Sequence, residues 1–411
     1  MGLAGGRGAA MTGASGRIVE LASPEDRLAQ ALERRLQVGS PLGEGQRASV
    51  VFDAGHAAFT VVIDGAHMSI ASDRVASPDA VVRANARTLA GIVEGVESGV
   101  GAFLDGRLSI RGNMGLVLRL EGIDHPERPV RFPRARTVRA GDVDTFYLEA
   151  GKGPPIVLLH GLGATCASML PTLVELAHDH RVLAPDLPGF GDSEKPVRNY
   201  DPAYYAGWLA AFLDATGIAQ ADLVGNSMGG RIAIEAGLCM PERVKSLVLF
   251  APSLAFKRFR EWTPLVRLVA TEIAAMPMML PRTLVLETLR MMFARPERLH
   301  DAWYAAAADE FLRVFATSRG RMAVLSAARQ IYLEEAHGEA GFWDRLPALS
   351  PPVLFLWGDH DPLVPSRFAP HVETVLPEAR SIVLESCGHV PQFEHPAETH
   401  RLVRDFLGRV R

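Results

Sequence analysis

Apolar and polar residues follow different patterns in the first and second parts of the chain. Ser23 and Pro24 provide a helix start ahead of leucines that recur at helical spacing. Strand-like runs with hairpin turns follow, at Ala48–Phe52, Ala57–Ile63, His67–Ala71 and Leu108–Arg111. Helical stretches are predicted at Pro78–Ala86, at Thr88–Val93 and up to about Leu120. Strands combined with helices in this way indicate a small α+β domain.

From Gly141 onwards, short runs rich in Val, Leu and Ile alternate with helical segments. The predicted strands are Val143–Ala150, Ile156–His160, Arg181–Pro185, Ala221–Gly225, Val244–Phe250, Val353–Trp357 and Ser381–Glu385. Helices are predicted at Tyr204–Thr216, Met228–Leu238, Ser366–Val375 and Ala397–Val410. Several strands are continuous apolar runs, as in parallel sheets buried on both faces, so this part is predicted as a doubly wound α/β domain.

Three further segments complete the predicted domain organisation. Residues 253–348 are mostly helical and interrupt the strand–helix alternation, so we interpret them as a cap inserted between two strands. Residues 122–140 are rich in Pro and Arg and are predicted to link a domain at 23–121 to one at 141–411. We favour a solvated basic linker. The alternative is a linker that makes a peripheral membrane contact through anionic lipid. Residues 1–22 are predicted as a flexible tail, in which Met11 is an alternative start.

Composition and charge narrow the function classes. Of the 411 residues, 48% are hydrophobic and 22% charged, and the net charge of −4 does not favour nucleic-acid binding. The three cysteines are widely spaced, which argues against a disulfide framework or a zinc site and fits a reducing, cytoplasmic environment. Neither the apolar core of a signal peptide nor an uninterrupted membrane-spanning run is recognised. We therefore expect a soluble cytoplasmic protein without a bound metal.

The strongest chemical signal is the run Gly225-Asn226-Ser227-Met228-Gly229-Gly230, which follows a predicted strand and opens a predicted helix. A G-x-S-x-G sequence in this context needs small flanking residues, because the turn is tight and exposes the serine hydroxyl. The helix N-terminus can then stabilise developing negative charge. Ser227 is the candidate nucleophile; a glycine-rich turn with an incidental serine is the alternative.

A second glycine-rich loop supplies candidate oxyanion donors. The predicted strand at Ile156–His160 runs into Gly161-Leu162-Gly163. We predict that the backbone N–H groups of Leu162 and Met228 form the oxyanion hole. His160 is interpreted as a structural loop histidine, because the chemical role here belongs to the backbone.

Two later loops supply candidates for the acid and the base. Asp359 and Asp361 both follow a predicted strand, and we favour Asp361 as the carboxylate that orients an imidazole, with Asp359 as a turn-capping residue. His389 follows the last predicted strand in a loop, where it can act as the general base for Ser227. Cys387 is not favoured as a nucleophile, since no catalytic partners surround it in the sequence.

The order Ser227, Asp361, His389, together with the loop at Pro185–Ser193, resembles the α/β-hydrolase family over Gly141–Arg411. The resemblance implies a hydrolase that needs no cofactor and has a cap over its site. The elbow at Ser227 also resembles that of C–C bond hydrolases acting on meta-cleavage products, but these usually carry Trp where Val390 stands. We favour hydrolysis of an apolar carboxylic ester, with lipid esters included, and keep C–C bond hydrolysis as the alternative.

The first domain resembles the sterol carrier protein domain. The residues that carry this resemblance are Val61–Gly65, Ser77–Asp79 and Gly101–Asn113. It implies a module that binds lipid or another apolar molecule, so an apolar or lipid substrate is the expected partner. A domain that only stabilises the hydrolase or mediates dimerisation is one alternative. A non-catalytic lipid carrier is the alternative for the whole chain.

Overall fold

The computed structural model describes residues 23–37, 39–122, 129–255, 274, 276 and 278–410. The predicted tail at 1–22 lies outside the described residues, as do 123–128 of the predicted linker and 256–273, 275 and 277 of the predicted cap. Within the described part of the chain, none of the helices has both the length and the apolarity needed to span a bilayer.

The first domain packs four helices against a five-stranded sheet. Its strands are β1 (Arg47–Asp53), β2 (Ala58–Asp64), β3 (His67–Ala71), β4 (Ala80–Arg83) and β5 (Ser109–Gly112). Its helices are α1 (Pro24–Leu36), α2 (Ala86–Val93), α3 (Gly99–Leu104) and α4 (Met114–Gly122). The strand order is β3-β2-β1-β4-β5, in which β1 and β4 are parallel and the other pairs antiparallel. Ser23 caps helix α1, as the sequence predicts, and the structure adds a capping box in which Asp26 bonds back to the Ser23 backbone.

The predicted helix at Pro78–Ala86 is wrong, because residues 80–83 form strand β4. This strand pairs with β1 on one side and β5 on the other, so its backbone groups are satisfied by neighbouring strands. Asp79 accepts a hydrogen bond from Ser49 N at 2.8 Å instead of capping a helix.

The second domain contains an eight-stranded sheet in the order β13-β12-β11-β10-β8-β9-β7-β6. These strands are β6 (Arg134–Ala140), β7 (Val143–Ala150), β8 (Pro155–Leu159), β9 (Arg181–Pro185), β10 (Ala221–Asn226), β11 (Val244–Phe250), β12 (Val353–Gly358) and β13 (Arg380–Leu384). Strands β8 to β13 are parallel, whereas β7 pairs antiparallel with β9 and β6. The helices around the sheet are α5 (Leu170–Leu176), α6 (Pro202–Ala215), α7 (Met228–Cys239), α12 (Ala369–Val375), α13 (Pro391–Glu394) and α14 (Pro396–Arg409).

Strand β6 corrects the predicted linker at 122–140, since residues 134–140 pair along their whole length with β7. The strand escapes sequence-based recognition because it lies at the edge of the sheet and carries Arg134, Arg136 and Arg139. Charged residues are common on edge strands, where they prevent pairing with other molecules.

The described residues between β11 and β12 contain four α-helices and no strand. They are α8 (Arg282–Met291), α9 (Asp301–Ala316), α10 (Ser318–Leu333) and α11 (Phe342–Arg345). We call them the cap helices.

A buried ion-pair network joins the cap helices to α7, the helix that follows Ser227. Arg231 lies in α7, is only 3% exposed, and donates to Glu235 at 2.9 Å and to Glu334 at 2.7 Å. Arg345 in the cap donates to the other oxygen of Glu235 at 2.6 Å. Burial alone would raise the pKa of Glu235, but Arg231 and Arg345 more than offset it and hold the pKa below its ordinary value. The stabilisation by Glu235 is therefore present above the pKa of the unfolded carboxyl group and is lost as the pH falls towards the folded value.

Replacing Glu235 by Ala should lower the free energy of unfolding by about 3 kcal/mol, the low end for breaking a buried pair, since Glu334 still faces Arg231. Urea denaturation followed by circular dichroism measures the loss. Asp405→Ala is the matched control, because Asp405 pairs with Arg401 at an exposed site where about 0.5 kcal/mol is expected. Equal losses in the two variants would contradict the role assigned to the network.

Candidate active site

Ser227 lies in a strained turn between β10 and α7. Its backbone has φ 53° and ψ −115°, in the region that disfavours residues with a side chain. A Cβ atom at Gly229 would overlap the carbonyl of Leu159 in β8, and one at Gly225 would overlap the carbonyl of Gly229. The two glycines thus let the helix approach the sheet, which brings Ser227 to the carboxyl edge of the strands.

Three backbone hydrogen bonds hold this turn in place. Ser227 N donates to Phe250 O at 2.9 Å, and Ser227 O accepts from Arg231 N at 3.1 Å and from Ser253 N at 2.9 Å. A left-handed conformation of this kind costs about 1–3 kcal/mol and persists only where the surroundings enforce it. The serine hydroxyl makes no capping hydrogen bond to its own helix, so it remains available for chemistry.

The structure brings Asp361 and His389 into direct contact. Asp361 Oδ2 lies 2.8 Å from His389 Nδ1, and the two side chains are 0% and 4% exposed. The other carboxylate oxygen accepts hydrogen bonds from Leu363 N at 2.7 Å and Val364 N at 2.9 Å. A carboxylate held in this way accepts a hydrogen bond from Nδ1–H, which leaves His389 Nε2 as the acceptor nitrogen.

Residues that the sequence did not identify as functional hold the segment that carries His389. Asn226 Nδ2 donates to His389 O at 3.1 Å and to Phe250 O at 3.0 Å. His389 N donates to the carbonyl of Met292, at the end of the cap helix α8, at 2.7 Å. The position of Asn226 directly before Ser227 is the sequence signal that could have indicated a role.

Glu394 is the second residue missed, although its position shortly after His389 in the sequence offers a signal. Its carboxylate accepts from Gly388 N and from Ala294 N, both at 2.8 Å, and so joins the histidine loop to the cap. Burial raises the pKa of Glu394, and the backbone donors offset part of this rise.

The predicted oxyanion loop lies beside Ser227. A Cβ atom at Gly161 would be 3.4 Å from the Cβ atom of Ser227. Leu162 follows and is 37% exposed, and Met228 is the first residue of α7. The N–H of Met228 is therefore among the first of the helix, which have no acceptor within it.

His160 is a structural residue in this loop, as interpreted from the sequence. Its Nε2 accepts from Leu187 N at 2.9 Å, and its Nδ1 lies 2.8 Å from Gly161 O. Complete burial lowers the pKa of His160 to about 4, so the ring stays neutral and connects two loops.

The remaining polar candidates have other contacts. Asp359 faces His360 Nδ1 at 2.7 Å and accepts from Cys387 N at 3.0 Å, which fits its interpretation as a turn-capping residue. Burial raises the pKa of the Cys387 thiol, which disfavours the reactive thiolate. Among the described residues, no three potential metal ligands converge on one point.

Comparisons with known proteins agree with this two-domain fold. Residues 154–396 match the model of the alpha/beta hydrolase fold, and residues 19–123 match that of the SCP-2 sterol transfer family. A pimeloyl-[acyl-carrier protein] methyl ester esterase from Aeromonas hydrophila is 31% identical over 63% of this chain and 97% of its own length. A 2-hydroxymuconate semialdehyde hydrolase from Pseudomonas sp. strain CF600 is 31% identical over 66% of this chain and 93% of its own length. The crystal structure of a membrane phospholipase A, described as a bacterial virulence factor, matches with a TM-score of 0.56 and 29% identity over 68% of this chain and 87% of that one.

Replacing Glu394 by Ala should slow the reaction of Ser227 with a fluorophosphonate probe by about 10- to 100-fold, because the His389 loop loses one of its two attachments to the cap and is positioned less accurately. The labelling rate measures the effect, and thermal unfolding checks that the variant is folded. Glu398→Ala removes an exposed carboxylate four residues further on and serves as the control. A labelling rate in Glu394→Ala equal to that of the control would show that this attachment does not matter.

Proposed function

The chain belongs to the alpha/beta hydrolase family and carries an SCP-2 sterol transfer domain ahead of it, and on this premise we propose that it is a serine hydrolase of apolar carboxylic esters, with lipid esters as the first class to test. The observation that carries the proposal is the 2.8 Å contact between His389 and Asp361, at the same sheet edge as the strained Ser227. A carboxylate, an imidazole and an exposed hydroxyl in this chain order are the parts of a catalytic triad.

The proposed reaction begins with attack of Ser227 Oγ on the ester carbonyl carbon. His389 Nε2 takes the serine proton, and the Asp361 carboxylate stabilises the imidazolium that forms. The N–H groups of Leu162 and Met228 donate to the oxyanion of the tetrahedral intermediate. As the intermediate collapses, His389 returns the proton to the leaving alcohol and an acyl-enzyme remains.

The second half of the reaction repeats these roles with water as the nucleophile. His389 removes a proton from the water as its oxygen attacks the acyl carbonyl. A second tetrahedral intermediate then releases the carboxylic acid and restores the Ser227 hydroxyl. The cycle uses no cofactor, because every proton that His389 accepts is returned within the same half-reaction.

An apolar substrate is supported from two directions. The side chain of Leu162 is exposed beside the proposed oxyanion hole, and the ring of Phe311 in α9 comes within 2.9 Å of the position that a Cβ atom on Gly163 would occupy. The relatives named above include a methyl ester esterase and a phospholipase A, and the attached domain belongs to a sterol transfer family.

A cytoplasmic location stays a prediction, based on the free cysteines Cys166, Cys239 and Cys387.

Hydrolysis of a C–C bond is the second candidate. It is supported by the resemblance of the elbow around Asn226 and Ser227 to the C–C hydrolases, and by the relative that acts as a 2-hydroxymuconate semialdehyde hydrolase. Val390, where those enzymes usually carry Trp, is the reason for ranking it second. A non-catalytic lipid carrier is not retained, since the chain belongs to a hydrolase family.

Replacing Ser227 by Ala should abolish turnover of p-nitrophenyl esters, since the nucleophile is lost. Asp361→Asn should lower kcat by about 10⁴-fold, since the wrong imidazole tautomer is then favoured. Initial rates across acyl chains of increasing length measure both effects and the chain-length preference. Asp359→Asn is the matched control, because it removes a carboxylate from the same loop that does not face His389. Wild-type turnover by Ser227→Ala would refute the proposed mechanism.

Comparing kcat/KM for p-nitrophenyl esters with that for 2-hydroxy-6-oxohexa-2,4-dienoate should decide between the two candidates. We expect the ester to be preferred by at least about 100-fold, which corresponds to about 2.7 kcal/mol of transition-state stabilisation. Loss of the dienol absorbance measures the C–C reaction. The opposite preference would favour the second candidate, and Ser227→Ala controls for spontaneous decay of either substrate.

A further inference from the structure

The two domains meet on one helix of the cap. In α9, Trp303 Nε1 donates to Phe103 O in the first domain at 2.8 Å. Asp309 accepts from Arg111 Nε at 2.6 Å and from Gly112 N at 3.0 Å, at the end of strand β5. Helix α9 is therefore held by directed contacts to the first domain as well as by the cap.

The same helix also contacts the catalytic loops. Phe311 packs against Gly163 in the proposed oxyanion loop. The rings of Tyr304 and Phe293 meet edge to face, with their centroids 5.1 Å apart. Phe293 directly follows Met292, whose carbonyl accepts a hydrogen bond from His389 N. A change in the position of α9 would therefore alter the contacts of the proposed oxyanion loop and of the histidine loop.

Helix α4 is the corresponding shared element of the first domain. A cavity of about 50 Å³ lies between α1, α2, α4 and the sheet, and α4 contributes Val117, Leu120 and Glu121 to its wall. On this measure of volume a single water molecule needs about 10–15 Å³, so the cavity has room for a few waters and not for an acyl chain as it stands. Since protein interiors are close-packed, a chain that enters must move the elements of the wall apart.

The other side of α4 is fixed to the hydrolase domain. Met114 N donates to Glu310 in α9 at 2.8 Å. Arg119 Nε lies 3.3 Å from Asp192, and its guanidinium stacks over the ring of Phe146 at 4.3 Å. Asp192 also pairs with Arg313 of α9 at 2.8 Å. Movement of α4 away from the cavity would therefore disturb the contacts that fix α9.

We propose that an apolar chain bound in this cavity acts as an effector of the hydrolase site, in addition to any role as cargo. Entry of the chain displaces α4 and weakens its contacts with Glu310 and Asp192. Helix α9, still attached to Phe103 and to the end of β5, then shifts at its α4 side, so that Phe311 leaves Gly163 and the approach to Ser227 opens. This inference rests on the proposed ester hydrolysis, because hydrolysis provides its readout.

The test measures hydrolysis of p-nitrophenyl butyrate by the full chain with increasing cis-parinaric acid, a fluorescent fatty acid that contains no ester. The short ester is soluble and needs no carrier, so a change in its kcat/KM reports coupling between the sites. We expect kcat/KM to rise by at least about fivefold, the low end of typical allosteric coupling. The Kd of the probe, measured by its fluorescence, should change after Ser227 is phosphonylated, because a group held at one of two coupled sites alters binding at the other.

Arg119→Gln tests the route by breaking the pair with Asp192. This variant should show raised kcat/KM without the probe and little further response to it, whereas Arg119→Lys keeps the charge and should restore the response. Arg47→Gln is the matched control, since Arg47 pairs with Asp64 at an exposed site within the first domain and should respond like the wild type. Thermal unfolding confirms that each variant is folded.

The outcomes separate this inference from the proposed function. Absence of any ester hydrolysis would count against the proposed function. Hydrolysis that changes by less than about twofold while the probe is bound would overturn the coupling alone. Failure of the probe to bind, a fall in kcat/KM through competition at Ser227, or a wild-type response in Arg119→Gln would also overturn it.

Discussion

Glycine at position 229 lets the first turn of helix α7 contact strand β8, and the geometry of the whole site depends on this contact. Any side chain there would overlap the carbonyl of Leu159 and push the helix away from the sheet. The left-handed backbone of Ser227 would then lose the hydrogen bonds that hold it. Asn226 adds the link to the histidine loop, so one turn positions both the hydroxyl and the backbone of His389.

Buried charged residues determine the position of the cap helices relative to α7 and the first domain. Arg231 and Glu235 in α7 bind Glu334 and Arg345 at the C-terminal end of the cap, while Asp309 and Glu310 fix helix α9 to the first domain. A buried ion pair contributes little net stability after desolvation, but losing one partner is costly because the other is left uncompensated. These pairs therefore disfavour alternative positions of the cap more than they strengthen the fold, and a site beneath the cap depends on that position.

Strands that are buried on both faces of the sheet could be predicted from the sequence. Strand Val244–Phe250 is almost completely buried and mostly apolar, and its bounds were predicted correctly. Strand β6 is charged because it lies at an edge, and β4 follows Ser77-Pro78-Asp79, which looks like the start of a helix. In both cases pairing with a neighbouring strand outweighed the local signal, and pairing partners are not visible in a short window of sequence.

The sequence by itself determined the two-domain organisation, the family and the candidates Ser227, Asp361 and His389, because strand–turn–helix motifs are local and occur in a fixed order. Only the tertiary structure decided that Asp361, and not Asp359, faces the imidazole, and that Glu394 holds the histidine loop to the cap. It also decided that the first domain is fixed to α9. These contacts join residues far apart in the chain, and they exist only because the folded backbone brings groups of complementary charge and hydrogen bonding together.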